Sequence, residues 1–345
     1  NLVSHNNNKQ RKNMNNFKKI GMTALAASLV STSVFAGELA VTGSAGINYE
    51  NYKADTTGGT ATAGTKAFSM GNQITFSGSG ELDNGMNVSL SFTIDEFDNA
   101  SAADAADAGS IFDAHSVTVS SDAMGTLVFA GEGGASAQSA INTTAAGDIW
   151  DLWDGRNGAN SKMKESSTSD NMFTYTLPSM VDGLSVSASY VPAAGNDESD
   201  TSYALTYTGV EGLTASYGVG SNDDASGSTS NADATTMSLA YAYGPVTVAY
   251  SDHEYDSNTA TEDLDVQSFK VSYTVSDAIS ISYGEEEVDS GTANDQDAKY
   301  TRLSASYTAG GMTVSGNMSE MENGDFSTTA SMDEEYVGLS VSFAF

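Results

Sequence analysis

Glu334 to Phe345 reads EEYVGLSVSFAF, and the chain stops there. Every second residue is large and apolar: Val337, Leu339, Val341, Phe343, Phe345. Between them stand Gly338, Ser340, Ser342 and Ala344. A period of two puts alternate side chains on opposite faces of a strand. One face of this strand meets an apolar phase, and the other meets water or a second chain segment. The last residues of a soluble domain usually fray into water. An apolar aromatic at the terminus fits a strand that is paired to its end.

The same alternation recurs in sixteen segments between Gly37 and Phe345. Examples are MNVSLSFTI (86–94), LSVSASY (184–190), YALTYTG (203–209), MSLAYAY (237–243), FKVSYTV (269–275) and LSASY (303–307). One parity carries Val, Leu, Ile, Phe, Tyr or Met, and the other carries mostly Ser, Thr, Ala or Gly. Such text favours strand over helix. Seven short connections (82–85, 121–125, 178–183, 209–212, 243–245, 276–278, 309–311) are rich in Gly, Asp and Asn, as tight turns are. They alternate with eight long polar ones: 53–69, 96–112, 132–170, 193–200, 220–234, 251–264, 284–298 and 319–334. The pattern predicts an all-β, 16-stranded antiparallel transmembrane barrel with short periplasmic turns and long outer loops.

A soluble sandwich of this size would expose strand edges. Pairing the first strand (Leu39 to Tyr49) with the last removes them and gives Phe345 a lipid-facing site. A charge on the lipid face costs roughly 2–4 kcal/mol at mid-membrane. The apolar parity of the clear strands carries none. Tyrosine marks both ends of that face. Tyr190, Tyr217, Tyr250 and Tyr283 each end the run that leaves a short turn, and Tyr207, Tyr241, Tyr273 and Tyr307 each fall just before one. Two rows on one parity read as two aromatic girdles near opposite rims.

The chain has no Cys, which excludes disulfides, thiolate metal sites and cysteine nucleophiles. Its net charge of -32 argues against nucleic-acid partners. Lys9, Arg11, Lys12, Lys18 and Lys19 precede the apolar run Ile20–Val34, and Val34-Phe35-Ala36 follows as a cleavage site. Residues 14–36 are therefore expected to be a secretory signal cleaved near Ala36. Residues 1–13 are then an upstream extension, since the chain opens on Asn as a fragment or an over-extended translation would. Residues 37–345 form the barrel. Its net charge is about -37, because the leader takes five of the 13 basic residues and none of the 45 acidic ones.

GTLVFAGE (125–132), a long acidic connection and STSDNMFTYTLPSMVDGLSVSASY (167–190) together resemble the general porins of Gram-negative bacteria. The aromatic terminus at Phe345 is similar to that family's assembly signal. The resemblance implies a homotrimeric outer-membrane channel for small hydrophilic solutes and ions, set in lipid by the outer-membrane assembly machinery. It also implies that 132–170 folds into the lumen as a constriction loop. This loop holds both tryptophans, Trp150 and Trp153, which give it a body to pack on the wall. Asp148, Asp151, Asp154, Arg156 and Glu165 of the loop are the expected constriction residues, with Lys270 and Arg302 from the wall. The family's cluster of wall arginines is missing, so a net attraction for cations is the simpler expectation.

No catalytic residue is expected. His5 goes with the leader, and His253, in SDHEYD, reads as a solvated histidine on a long loop beside His115 as the third. No cofactor is expected. Divalent-cation binding by the acidic loops has only a weak signal, because no calcium loop with a closing Glu appears. The alternative function is a structural or adhesive barrel that presents its acidic loops.

Overall fold

The computed structural model describes residues 39–54, 66–95, 112–153, 164–167, 170–193, 198–223, 231–259, 262–292, 295–327 and 333–345. The expected signal segment and extension lie outside these residues, as do Asp154 and Arg156. The strands are β1 (Leu39–Ala54), β2 (Lys66–Glu81), β3 (Asn87–Asp95), β4 (Ala114–Ser121), β5 (Gly125–Glu132) and β6 (Met172–Thr176). Then come β7 (Leu184–Val191), β8 (Asp200–Tyr207), β9 (Leu213–Asn222), β10 (Ala232–Tyr243) and β11 (Val246–Ser257). β12 (Leu264–Ser276), β13 (Ile279–Asp289), β14 (Ala298–Ala309), β15 (Met312–Glu322) and β16 (Glu334–Ala344) complete them. Each pairs antiparallel with its sequence neighbour, and β1 pairs with β16 to close the barrel.

Closure runs from Ser44 opposite Ala344 to Ala54 opposite Glu334. Phe345 extends it by one residue. Its N–H donates to Gly43 O at 2.9 Å, and the Gly43 N–H donates to Phe345 O at 2.7 Å. The Phe345 ring occupies the space that a side chain on Gly43 would need, since a Cβ there would lie 2.7 Å from the ring. Thus the terminal aromatic is built into the seam.

Strands β11 to β13 carry two polarity patterns, one at each end. Near the short turns the apolar residues point out. On β12 these are Phe269, Val271, Tyr273 and Val275, with Lys270 and Ser272 pointing in. Nearer the long loops the pattern inverts. Asp265 and Gln267 point out, while Leu264 and Val266 are buried inside. β11 repeats this with Asp252, Glu254 and Asp256 outside and His253 and Tyr255 buried. β13 does so with Glu285 and Asp289 exposed outside and Glu286 and Val288 buried. On this side of the barrel, and again on β15 with Glu320 and Glu322 exposed and Met321 buried, an acidic collar therefore stands above the apolar belt and has its own core inside.

That inversion corrects three expected loops. Residues 251–264, 284–298 and 319–334 shrink to 258–263, 290–297 and 323–333, because the strands run on through the acidic text. Acids on the outward parity erase the apolar alternation, so these strand ends look like polar loops in the sequence. His253 is corrected with them. It sits on β11 at 1% exposure, not on a solvated loop.

The tyrosine rows are also closer than opposite rims. All eight lie on the outward parity. Registers such as Tyr207 opposite Leu184, Tyr241 opposite Val248 and Tyr250 opposite Phe269 put neighbouring rows two to six residues apart. At ~3.3 Å per residue that is roughly 7–20 Å, less than a belt of about 25 Å. The upper row marks the border with the collar: Tyr250 and Tyr283 hydroxyls donate to Asp252 and Glu285 at 3.1 and 3.2 Å.

Candidate pore constriction

Residues 133–153 of the connection between β5 and β6 turn inward, and the wall is shaped to receive them. Gly284 and Gly218 face them where they pass. A Cβ on Gly284 would lie 2.7 Å from Ala146 Cβ, and one on Gly218 would lie 2.8 Å from Ile141 Cδ1. Backbone groups removed from water need partners, and wall hydroxyls supply them. The N–H groups of Ala137, Gln138, Ala145 and Ala146 donate to Ser189, Ser202, Ser251 and Ser268 at 3.0, 3.2, 2.7 and 2.9 Å. Further on, Ile149 and Trp150 donate theirs to the two oxygens of Glu286 at 2.9 and 3.1 Å.

Apolar packing fixes the far end of this limb. Ile149 and Trp153 are fully buried among Tyr255, Val266, Val288, Tyr300 and Met321. The Trp153 and Tyr300 rings lie 5.7 Å apart. Tyr52 on β1 donates its hydroxyl to Leu152 O at 2.8 Å. The two tryptophans do anchor the loop, and Trp153 is the deeper one.

The returning limb, residues 164–167, is tied back. Ser166 N–H donates to Gln138 Oε1 at 2.8 Å, and Gln138 Nε2 donates to Thr236 Oγ1 at 2.6 Å. His253 bridges onward, with Nδ1 2.8 Å from Thr236 Oγ1 and Nε2 2.8 Å from Lys164 O. Asn222 donates to Glu165 O at 3.0 Å. His253 is thus a strut between wall and loop.

A group of charged side chains surrounds this loop. Asp148, with a left-handed φ of 50°, is held by Thr144, whose hydroxyl donates to Oδ1 at 2.8 Å and accepts from the Asp148 N–H at 2.6 Å. Asp151 is exposed on the short helical turn Trp150–Trp153. Burial, and then the negative charge of Asp148, push the Glu165 carboxyl up to about 7, against a bond from Thr143. Arg302 donates to Gly147 O at 3.1 Å and to Ser319 Oγ at 3.4 Å. Its charge couples to Glu286, Asp148 and Asp151. Lys270 Nζ stands 3.9 Å from where a side chain on Gly147 would begin. Lys164 is engaged by Glu262 at 2.8 Å. Together, Asp148, Glu165, Lys164, His253, Trp150 and Thr143 line a cavity of about 440 Å³.

Glu286 is the functional residue that sequence reading missed. It lies in GEEEVD, taken as loop. Carrying the inward parity of Ser280, Ser282 and Gly284 one step further would have placed it on the wall.

A closed sixteen-stranded barrel with an inward loop over a hydroxyl-rich lumen defines an outer-membrane diffusion channel. The chain belongs to the Gram-negative porin family, whose model matches residues 21–345. Among solved structures it is similar to an anion-selective porin from Comamonas acidovorans. The TM-score is 0.65 at 14% identity, covering 90% of this chain and all of that one. A porin refined at 1.8 Å gives 0.62 at 19% identity, covering 89% of this chain and 100% of that one. Salmonella typhi OmpF in complex with daunomycin gives 0.63 at 13%, covering 90% and 98%. At these identities the likeness is one of fold. No curated protein sequence matches the chain.

Proposed function

We propose that this porin passes small hydrophilic solutes and ions by passive diffusion, with a preference for cations. The observation that supports the preference is an imbalance at the loop. Among the described lining residues of its cavity, Asp148 and Glu165 are acidic, and the one ammonium, Lys164, is matched by Glu262. Carboxylates held near a narrow aqueous path raise the local cation concentration. Asp148, Asp151, Glu165, Lys270 and Arg302 are the residues assigned to the constriction, with Asp154 and Arg156 kept from the sequence. In this reading the signal is removed near Ala36, the barrel trimerises, the short turns face the periplasm and the acidic collar faces outward. Tyr190, Tyr217, Tyr250 and Tyr283 meet the outer lipid headgroups, Tyr207, Tyr241, Tyr273 and Tyr307 lie deeper in the belt, and Phe345 serves the assembly machinery.

Reversal potential across a salt gradient tests the preference. Cation preference is expected in the wild type and a smaller one in Asp148→Asn/Asp151→Asn. Anion preference in the wild type would overturn the charge argument. The adhesive-barrel reading draws on the acidic collar; absence of unit currents in planar bilayers would favour it.

A further inference from the structure

We propose that the cavity between the inward loop and strands β9 and β11 is a binding subsite for a small solute that carries a primary ammonium and no carboxylate. The lining argues for each part of that description. About 440 Å³ is room for a short organic chain and some water, since a water occupies ~30 Å³ of liquid. Two carboxylates, Asp148 and Glu165, face this space and repel one another. A proton or a cation must answer that repulsion. An ammonium carries three donors and no acceptor, which suits two carboxylates and a neighbouring hydroxyl. The indole of Trp150 lines the same space, an aromatic neighbour of the kind that attracts a cation or packs on its alkyl stem.

The cations among the described lining residues are already committed. Lys164 Nζ lies 2.8 Å from Glu262 and 5.6 Å above the Tyr255 ring. Both nitrogens of His253 are engaged, by Thr236 and by Lys164 O. Among the described lining residues no uncommitted cation is left for a solute carboxylate, so amino acids fit poorly. Glu165 takes up a proton near neutrality, so the ammonium and the proton compete for the same carboxylate.

The inference rests on the loop lying in the lumen as the proposed function has it, but it does not rest on conduction. Both tryptophans of the chain sit in this loop, so intrinsic fluorescence of the folded, detergent-held barrel reports the site without any current. Propylammonium chloride and tetramethylammonium chloride are titrated at pH 8 and equal ionic strength. Propylammonium is expected to saturate the signal about tenfold more tightly, the ratio given by one charge-assisted hydrogen bond. Glu165→Gln should erase the difference while keeping the wild-type circular dichroism. In the wild type, affinity should fall several-fold between pH 8 and pH 6. Equal affinity for the two ions, or a pH-independent one, would overturn the proposal. A barrel that binds propylammonium but carries no current would instead sink the channel reading.

Discussion

Ile149 and Glu286 meet inside the barrel, 137 residues apart in sequence. The Ile149 N–H donates to one carboxylate oxygen at 2.9 Å, and the next N–H, of Trp150, takes the other. Glu286 is fully buried, so it acts as a two-pronged clamp on the loop. Leaving these two buried N–H groups without an acceptor costs ~1–3 kcal/mol each. Glu286→Ala is expected to cost the loop ~3 kcal/mol or more of local stability. Unit conductance should rise and become noisier, and the loop should become cleavable by added protease. Glu286→Gln keeps one acceptor and should be milder. Unchanged current in Glu286→Ala would mean that the serine bonds and apolar packing hold the limb without the clamp.

Deleting Phe345 removes two backbone hydrogen bonds and the ring over Gly43. Slower insertion and a lower melting point of the folded form on gels are expected. Phe345→Tyr keeps the ring and the backbone pair and should behave like wild type.

Glu165 ties selectivity to pH. Its carboxyl titrates about 7 in the folded barrel against an ordinary value of 4.5. Above about 7 the loop gains a negative charge, so cation preference should grow from pH 6 to pH 8. Between 4.5 and 7 the folded state binds more protons than the unfolded one, so stability falls as pH rises through that window. Glu165→Gln should flatten both profiles, read by reversal potential and by thermal melts.

The inverted polarity predicts a labelling pattern. Single cysteines at Ser187, Thr206 or Ser272 should react with a small charged thiol reagent, and those at Val186, Leu205 or Val271 should not. In the collar the rule flips. Asp265→Cys should label while Val266→Cys stays protected, because Val266 is buried inside and Asp265 faces out. Labelling at Val186 would mean a register shifted by one.

The closed barrel was legible because β16 and the lower strand halves keep one apolar face from turn to turn. Phe345 signalled the seam directly. The collar was hidden because its outward acids cancel the two-residue contrast that identifies a strand. The loop acids Asp148 and Glu165 stood out by charge, yet their anchors did not. Ser189, Ser202, Ser251 and Ser268 look like any other small lumen residues until a loop backbone is laid across them. His253 looked idle because its partners, Thr236 and Lys164, are remote in sequence.

The serine anchors make the bore a stepwise quantity. Each loop N–H is pinned to a rung whose height is fixed by strand pairing. A slip of one residue would turn a rung outward, and a slip of two would raise it by about 7 Å. Calibre therefore cannot drift by small increments through the wall. Insertions or deletions within β7, β8, β11 or β12 would retune it in notches, whereas changes to the loop alone would shift charge and leave the gauge in place.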